Sequence, residues 1–350
     1  MSSLGVANSA AVVHPTGTVM FCRTASVGLL TITGRPMATT QAFVTWTAGP
    51  HVLPRYLLYV LAALRPELFR LAHGSTHLTI YMPDLEALRM PLPPSDEQRR
   101  IANFLDDQIE RLDFAARLRR RQADLLEERS AGALDTLYDA SHQERETVPL
   151  GRLLARPPCY GVLMPRFVSD GIPFCRINSL LDLERGSLPD IHIDPTQSLE
   201  YRRTVLSEGD VLTSVVGSLG LSAVVPAKAA GANIARAVAR LQPGAGIDPW
   251  FIRGYLGTKR YLTAAARATG SGTAQATLNM GDIVRFPVTT PVSRSLTADI
   301  GREVRLLFEA EGCTRESMTR ALTLIEERRR ATITAAITGQ IDVTTARAVA

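Results

Sequence analysis

Residues able to do covalent or metal chemistry are few and scattered along this chain. His73 and His77 stand at i,i+4, the spacing with which one helix face grips a metal ion, but they flank Gly74, Ser75 and Thr76 in an expected loop, and no Asp, Glu or Cys completes the set. Gly270, Ser271, Gly272 and Thr273 have the composition of a phosphate cradle. They lack the Gly-Lys-Ser/Thr of a P-loop and do not clearly open a helix. There is no Gly-x-Ser-x-Gly elbow, no Gly-x-Gly-x-x-Gly fingerprint and no Asp-Pro-Pro-Tyr methyltransferase motif. The expectation is a non-catalytic chain with no metal and no cofactor.

Polar loop residues of the kind that read nucleic acid are more numerous. Arg pairs bidentately with guanine, Asn and Gln with adenine, and Ser or Thr bonds phosphates or bases. Residues 147–291 offer Arg166, Arg176, Asn178, Ser179, Ser214, Ser218, Lys228, Asn233 and Arg236, and residues 1–92 offer Arg23, Thr24, Ser26, Thr40 and Gln41. Any single polar loop residue is usually only solvated, so the expectation attaches to the set. A separate basic cluster, Arg117, Arg119, Arg120 and Arg121, reads first as the solvated face of a helix and second as a docking patch for a partner subunit or DNA backbone.

The elements that must position these residues follow from helix signals. Pro93 and Pro94 stop what precedes them, Ser95 is the expected N-cap, and Asp96 and Glu97 place negative charge at the positive end of a new helix. Apolar residues then step by four and three through Leu105, Ile109, Leu112, Ala116, Ala123, Leu126, Ala133 and Leu137, interrupted at Arg119 and Ser130. A second seam runs through Ile300, Val304, Leu307, Thr314, Met318, Ala321 and Ile325, and Gly339 ends it as a C′ glycine. Both helices are too long for an ordinary globule, and the paired seams predict an antiparallel coiled coil.

Four parts result: a first globule over 1–92, a first long helix over 93–146, a second globule over 147–291, and a second long helix with its tail over 292–350. Both globules read as β-rich with a helix near their ends, giving a mixed α/β (α+β) fold class. The order itself suggests duplication. Residues 19–28 line up with 211–220, 54–61 with 249–256, and 74–85 with 272–283. The second copy has residues 148–210 ahead of Val211, whereas the first has only 1–18 ahead of Val19, so about 45 residues of the first globule are expected to be missing.

Composition sets outer bounds. In 350 residues there is room for two cores. A net charge of +5 permits a polyanionic partner without demonstrating one. No apolar run reaches bilayer length, the N-terminus lacks a basic signal-peptide n-region, and Cys22, Cys159, Cys175 and Cys313 lie far apart. Reduced, buried thiols in a cytoplasmic protein without a membrane segment are the expectation.

The chain resembles the specificity subunits of type I restriction-modification systems. The resemblance rests on residues 91–106 with Pro93, Pro94, Glu97 and Gln98, on Leu125 to Arg129, on Gly74 to Thr76, on Gly209 to Leu212, and on residues 271–279. It covers nearly the whole chain. Two departures stand out: the short first globule, and a second helix that begins at Pro291 without the Pro-Pro and Glu-Gln signature.

The resemblance implies two target-recognition domains separated by two long helices, each domain reading half of a bipartite site on double-stranded DNA. It also implies partners: two methyltransferase (modification) subunits, to which restriction (nuclease-translocase) subunits add. The second domain, holding the only complete recognition segment, is expected to dominate discrimination. The alternative is an assembly adaptor that binds methyltransferase subunits and reads no full site.

Overall fold

The computed structural model describes residues 3–9, 11–74, 78–139, 144–217, 219–269 and 277–343. The chain forms two compact units, Met1–Arg121 with Ser317–Ala350, and Gln122–Glu316. Each unit takes one part of each of two long helices, Ser95–Asp139 and Thr297–Ile337.

At 45 and 41 residues these helices are about 68 and 62 Å long by the 1.5 Å rise per residue. In the first unit Asp113 pairs with Arg329 at 3.8 Å, and in the second Glu127 pairs with Arg315 at 2.6 Å. Within the first unit Leu105 and Ile109 pack with Ile337 and Ile333, and within the second Leu134 and Tyr138 pack with Phe308 and Val304. In each unit the two helices run antiparallel, as the paired seams predict.

The buried stripe departs from the expected seam in its second half. Leu105, Ile109 and Ala116 are buried as expected, but Leu134 and Tyr138 take the places given to Ala133 and Leu137. A straight helix drifts about 20° per heptad against a strict 3.5-residue repeat, which moves the stripe by one position over roughly three heptads. Ser130, read as an interruption, is buried and satisfies its hydroxyl on the Leu126 carbonyl at 2.7 Å. On the second helix Thr314 is exposed and Glu311 is buried instead.

The start of the first long helix also differs in its chemistry. Ser95 is the first helical residue, not the cap, and the Pro94 carbonyl accepts from the N–H groups of Glu97 and Gln98 at 2.9 and 3.0 Å. Gln98 carries the junction. Its side chain is fully buried, accepts from the Leu53 N–H at 2.8 Å, and donates to the carbonyls of His51 and Pro93 at 2.8 and 2.9 Å. The Glu-Gln signature is thus a latch between the helix start and the loop that leads into helix Pro54–Ala63.

In the first unit Val19–Cys22 is the central strand of a three-stranded antiparallel sheet, between Leu30–Ile32 and Phe43–Trp46. All four of its residues are buried. Helix Pro54–Ala63 is apolar on two faces because it is covered on both sides. Leu57 and Leu61 pack on Val19, Ile32 and Trp46. Tyr56, Tyr59 and Val60 pack on Ile101, Leu105 and Ile109 of the first long helix and on Ile333 and Ile337 of the second.

The second unit repeats this plan with more strands. Val211–Ser214 is central in a four-stranded antiparallel sheet, flanked by Ser222–Val224 and Val238–Leu241, with Cys159–Tyr160 at the edge. Helix Pro249–Tyr255 takes the place of Pro54–Ala63, again with proline in its first turn. It lies against both long helices. A Cβ added at Gly254 would sit 2.6 Å from Val304 Cγ2 and 3.0 Å from the Tyr138 hydroxyl, so only glycine permits that approach.

A second sheet in this unit orders Asn233–Ile234, Ile172–Cys175, His192–Ile193 and Phe167–Val168, with the first pair parallel. It belongs to residues 148–241, and the described part of the first unit has no counterpart of it. Two ion pairs are held inside this unit. Arg240 meets Asp210 at 2.6 Å, and Arg253 meets Glu184 at 3.1 Å while its guanidinium lies 3.8 Å from the Phe308 ring centre. The Gly209 to Leu212 motif therefore serves folding: Asp210 also accepts from the Ser207 N–H at 2.6 Å and so closes the turn into the central strand.

Only two of the four thiols are buried as expected. Cys22 and Cys175 are interior, Cys159 is half-buried and Cys313 is exposed on the second long helix, where an outward position covers nothing. Burial pushes the Cys175 thiol up to about 12 and raises Cys159 as well. Since the thiolate is the reactive form, a disulfide reagent at pH 8 should titrate Cys313 first and leave Cys175 untouched until denaturant is added. Rapid release of all four thiols from the native chain would contradict this packing. Among the described residues no helix is long and apolar enough to cross a membrane.

Candidate nucleic-acid interface

Three chain segments meet at one end of the second sheet in the second unit. Strand Ile172–Cys175 runs into Arg176, and its parallel neighbour Asn233–Ile234 runs into Arg236. The Ala235 N–H donates to the Cys175 carbonyl at 2.9 Å, which keeps the two chain exits side by side. Val162, in the loop after Cys159–Tyr160, pairs with Ala235; its N–H donates to Ile234 at 2.8 Å, and the Arg236 N–H returns a bond to its carbonyl at 3.0 Å.

Arg176 and Arg236 are both exposed there, and among the described residues neither forms an ion pair. Ser179 fixes the Arg176 turn: its hydroxyl accepts from the Arg176 N–H at 2.9 Å and donates to the Arg176 carbonyl at 2.8 Å. Asn178 is carried outward on that turn and is exposed. Two guanidiniums and one amide on rigid strand ends can make the bidentate contacts that distinguish guanine and adenine edges.

Arg166 lies at the start of Phe167–Val168, beside Asp194 and at the Ile172 end of the sheet, and its charge is shared. It meets Glu200 at 3.3 Å and Asp194 at 4.0 Å. Hydrogen bonds from the Thr196 hydroxyl and N–H, and then the Arg166 charge, hold the Asp194 carboxyl below the usual range. Lys228 is exposed at a different loop, with its ammonium end against Gly186.

The other expected residues take different places. Asn233 is fully buried, accepts from Ser198 Oγ at 2.6 Å and donates to Thr204 Oγ1 at 2.7 Å, so its amide is engaged inside the domain. Ser214 is fully buried in the central strand. Ser218 lies outside the described residues, as do Ser75, Thr76 and His77 and the run 270–276. In the first unit Arg23 is half-buried and works as a clip, donating to the carbonyls of Gln41 at 3.1 Å and Ile80 at 3.4 Å. Thr24 forms a bridge with Thr79, while Ser26, Thr40 and Gln41 are exposed.

Sequence reasoning passed over Gln197, which is buried beneath the loop, and the exposed apolar side chains of Leu163, Met164 and Phe167. The signal available was an apolar pair between Pro158 and Pro165, where a loop ordinarily carries polar residues. Among the described residues no group of His, Cys, Asp and Glu is placed to hold a metal ion. A surface depression of about 440 Å³ is lined by Asp107, Glu110, Arg111, Phe114 and Arg117 of the first long helix.

Residues 1–120 match the family model of the type I restriction modification DNA specificity domain. Over 322 residues the chain is 25% identical to the type I restriction enzyme EcoBI specificity subunit of Escherichia coli, covering 83% of this chain and 65% of that protein. It thus spans slightly less than two thirds of that relative's length. A chain from the solved structure of a type I R-M system, described for complex assembly and conformational transition, superposes with a TM-score of 0.65 at 18% identity, over 95% of this chain and 84% of that one. The fold is shared with that chain.

Proposed function

We propose, from the premise that the chain is a specificity subunit of the type I restriction-modification class, that it reads a bipartite sequence on double-stranded DNA through two recognition domains, residues 1–92 and 147–291. The two long helices set the gap between the half-sites and seat two methyltransferase subunits, to which restriction subunits add, in the cytoplasm. The chain itself performs no chemistry. The observation that carries this reading is the repeated plan: in each unit a strand-centred sheet and a proline-initiated helix pack on one part of the same antiparallel helix pair. Two readers on a rigid spacer contact one face of the duplex, so half-sites should repeat at about 10–10.5 bp or a multiple of it.

The test is selection from a randomised DNA pool by the chain assembled with its methyltransferase subunits. Two separated half-sites are expected, the one read by residues 147–291 the more sharply defined, and the chain alone should neither methylate nor cleave DNA. A complex that assembles but enriches no sequence would replace this reading with that of an assembly adaptor.

A further inference from the structure

The loop between Cys159–Tyr160 and Phe167–Val168 holds two large apolar side chains in water on a backbone with little freedom to move. Leu163 is 56% and Met164 77% exposed. Below them Gln197 is 6% exposed. Its amide nitrogen donates to the Met164 carbonyl at 2.9 Å, and its amide oxygen accepts from the Arg166 N–H at 2.7 Å. One buried side chain thus ties both flanks of Pro165 to helix Pro195–Glu200. At the other end of the loop a Cβ on Gly161 would lie 2.0 Å from the Ile234 carbonyl oxygen, so the backbone there is pressed onto the strand that leads to Arg236. An exposed Met on a mobile loop needs no explanation. One held from beneath at both ends, on a loop whose Val162 is hydrogen-bonded to the exposed Arg236, has the build of a contact surface.

We propose that Leu163 and Met164 form a rigid apolar reading head whose Met164 contacts the C5-methyl group of a thymine in the major groove, and that Gln197 is the positioning residue that holds it there. This rests on the DNA-reading function proposed above. The thymine methyl is the apolar feature of the major-groove edge. Arg236, whose N–H donates to the carbonyl of Val162 directly before Leu163, is exposed and brings the charge that draws the phosphate-lined groove toward the loop and the donors that fit guanine O6 and N7. Acidic groups nearby, Asp194 and Glu200, are engaged by Arg166 and do not face the groove with unbalanced charge.

The experiment uses the assembled complex and its selected half-site, with each thymine replaced in turn by uracil, which removes only the methyl group. The parent complex should lose about fourfold in affinity at one thymine position, the yield of one buried methyl-sized group, and little at the others. Met164→Ala should lose about tenfold on the intact site, keep its affinity for unrelated DNA, and become indifferent to uracil at that position. Gln197→Glu retains an acceptor for the Arg166 N–H but no donor for the Met164 carbonyl. It should reproduce the loss of uracil sensitivity without changing non-specific binding, a pattern that general destabilisation would not give. A sharp half-site at which the parent is indifferent to every uracil, or a Met164→Ala complex that stays sensitive, overturns the reading head alone. A complex that selects no sequence removes the DNA-reading function and the reading head together.

Discussion

Leu105→Asp should unfold the first unit at temperatures where the parent chain is intact, with a loss of about 3–5 kcal/mol. Leu105 is fully buried among Tyr56, Tyr59, Val60, Ile333 and Ile337, so the substitution removes a core side chain and buries a carboxylate in its place. Against a total stability of about 5–15 kcal/mol, such a loss decides whether the unit folds. Leu134→Asp makes the same test in the second unit, where Leu134 packs with Val304 and Phe308. Leu112 and Leu307, which the heptad pattern also nominates, are half-buried and should cost less. Phe114→Asp, on an exposed position of the same helix, is the control and should leave melting unchanged. Thermal unfolding followed by circular dichroism reads all of these. If Leu105→Asp melts with the parent, the helix pair is not what holds the first unit together.

The long helices were legible in the sequence because their signals are local. Two prolines, a run free of breakers and an apolar repeat are read without knowing what they pack against. Where tertiary contacts decide, the reading slipped by a residue or failed. The apolar stripe ends on Leu134 and Tyr138 because those side chains belong to the core of the second unit, where Tyr138 stacks 5.0 Å from Phe251. No periodicity along one helix contains that information. Gln98 could be noticed as a motif, but a buried glutamine with three backbone partners from two loops is visible only once His51, Leu53 and Pro93 come together. Among the candidate readers, residue type failed to separate surface from interior. Asn233 stands between Ala232 and Ile234, and its apolar flanks were the one hint that it sits inside a sheet. Arg23 and Arg176 each follow a short strand, yet one guanidinium is closed onto carbonyls and the other is open to solvent.

That last difference gives the second large effect. Replacing Arg176 and Asn178 together by Ala should change which sequence is selected in one half-site, whereas Arg23→Ala should leave the selected sequence alone and lower the stability of the first unit. Arg176 and Asn178 sit on a turn held by both hydrogen bonds of Ser179, so removing their side chains leaves the backbone platform in place. Deleting a bidentate pairing with a base costs about 1–3 kcal/mol and relaxes discrimination at one base pair, and deleting both should reduce preference for the native half-site by about a hundredfold or more. A phosphate-binding residue behaves differently: its removal weakens all sequences alike and shallows the salt dependence. Arg23 instead ties the Gln41 and Ile80 segments, and without it two carbonyls are left with no donor from this side chain. The measurement is binding of the assembled complex to the randomised pool at two salt concentrations. An Arg176→Ala, Asn178→Ala complex that enriches the parent's sequence with uniformly lower affinity would assign these residues to the DNA backbone, and would move base reading away from this end of the sheet.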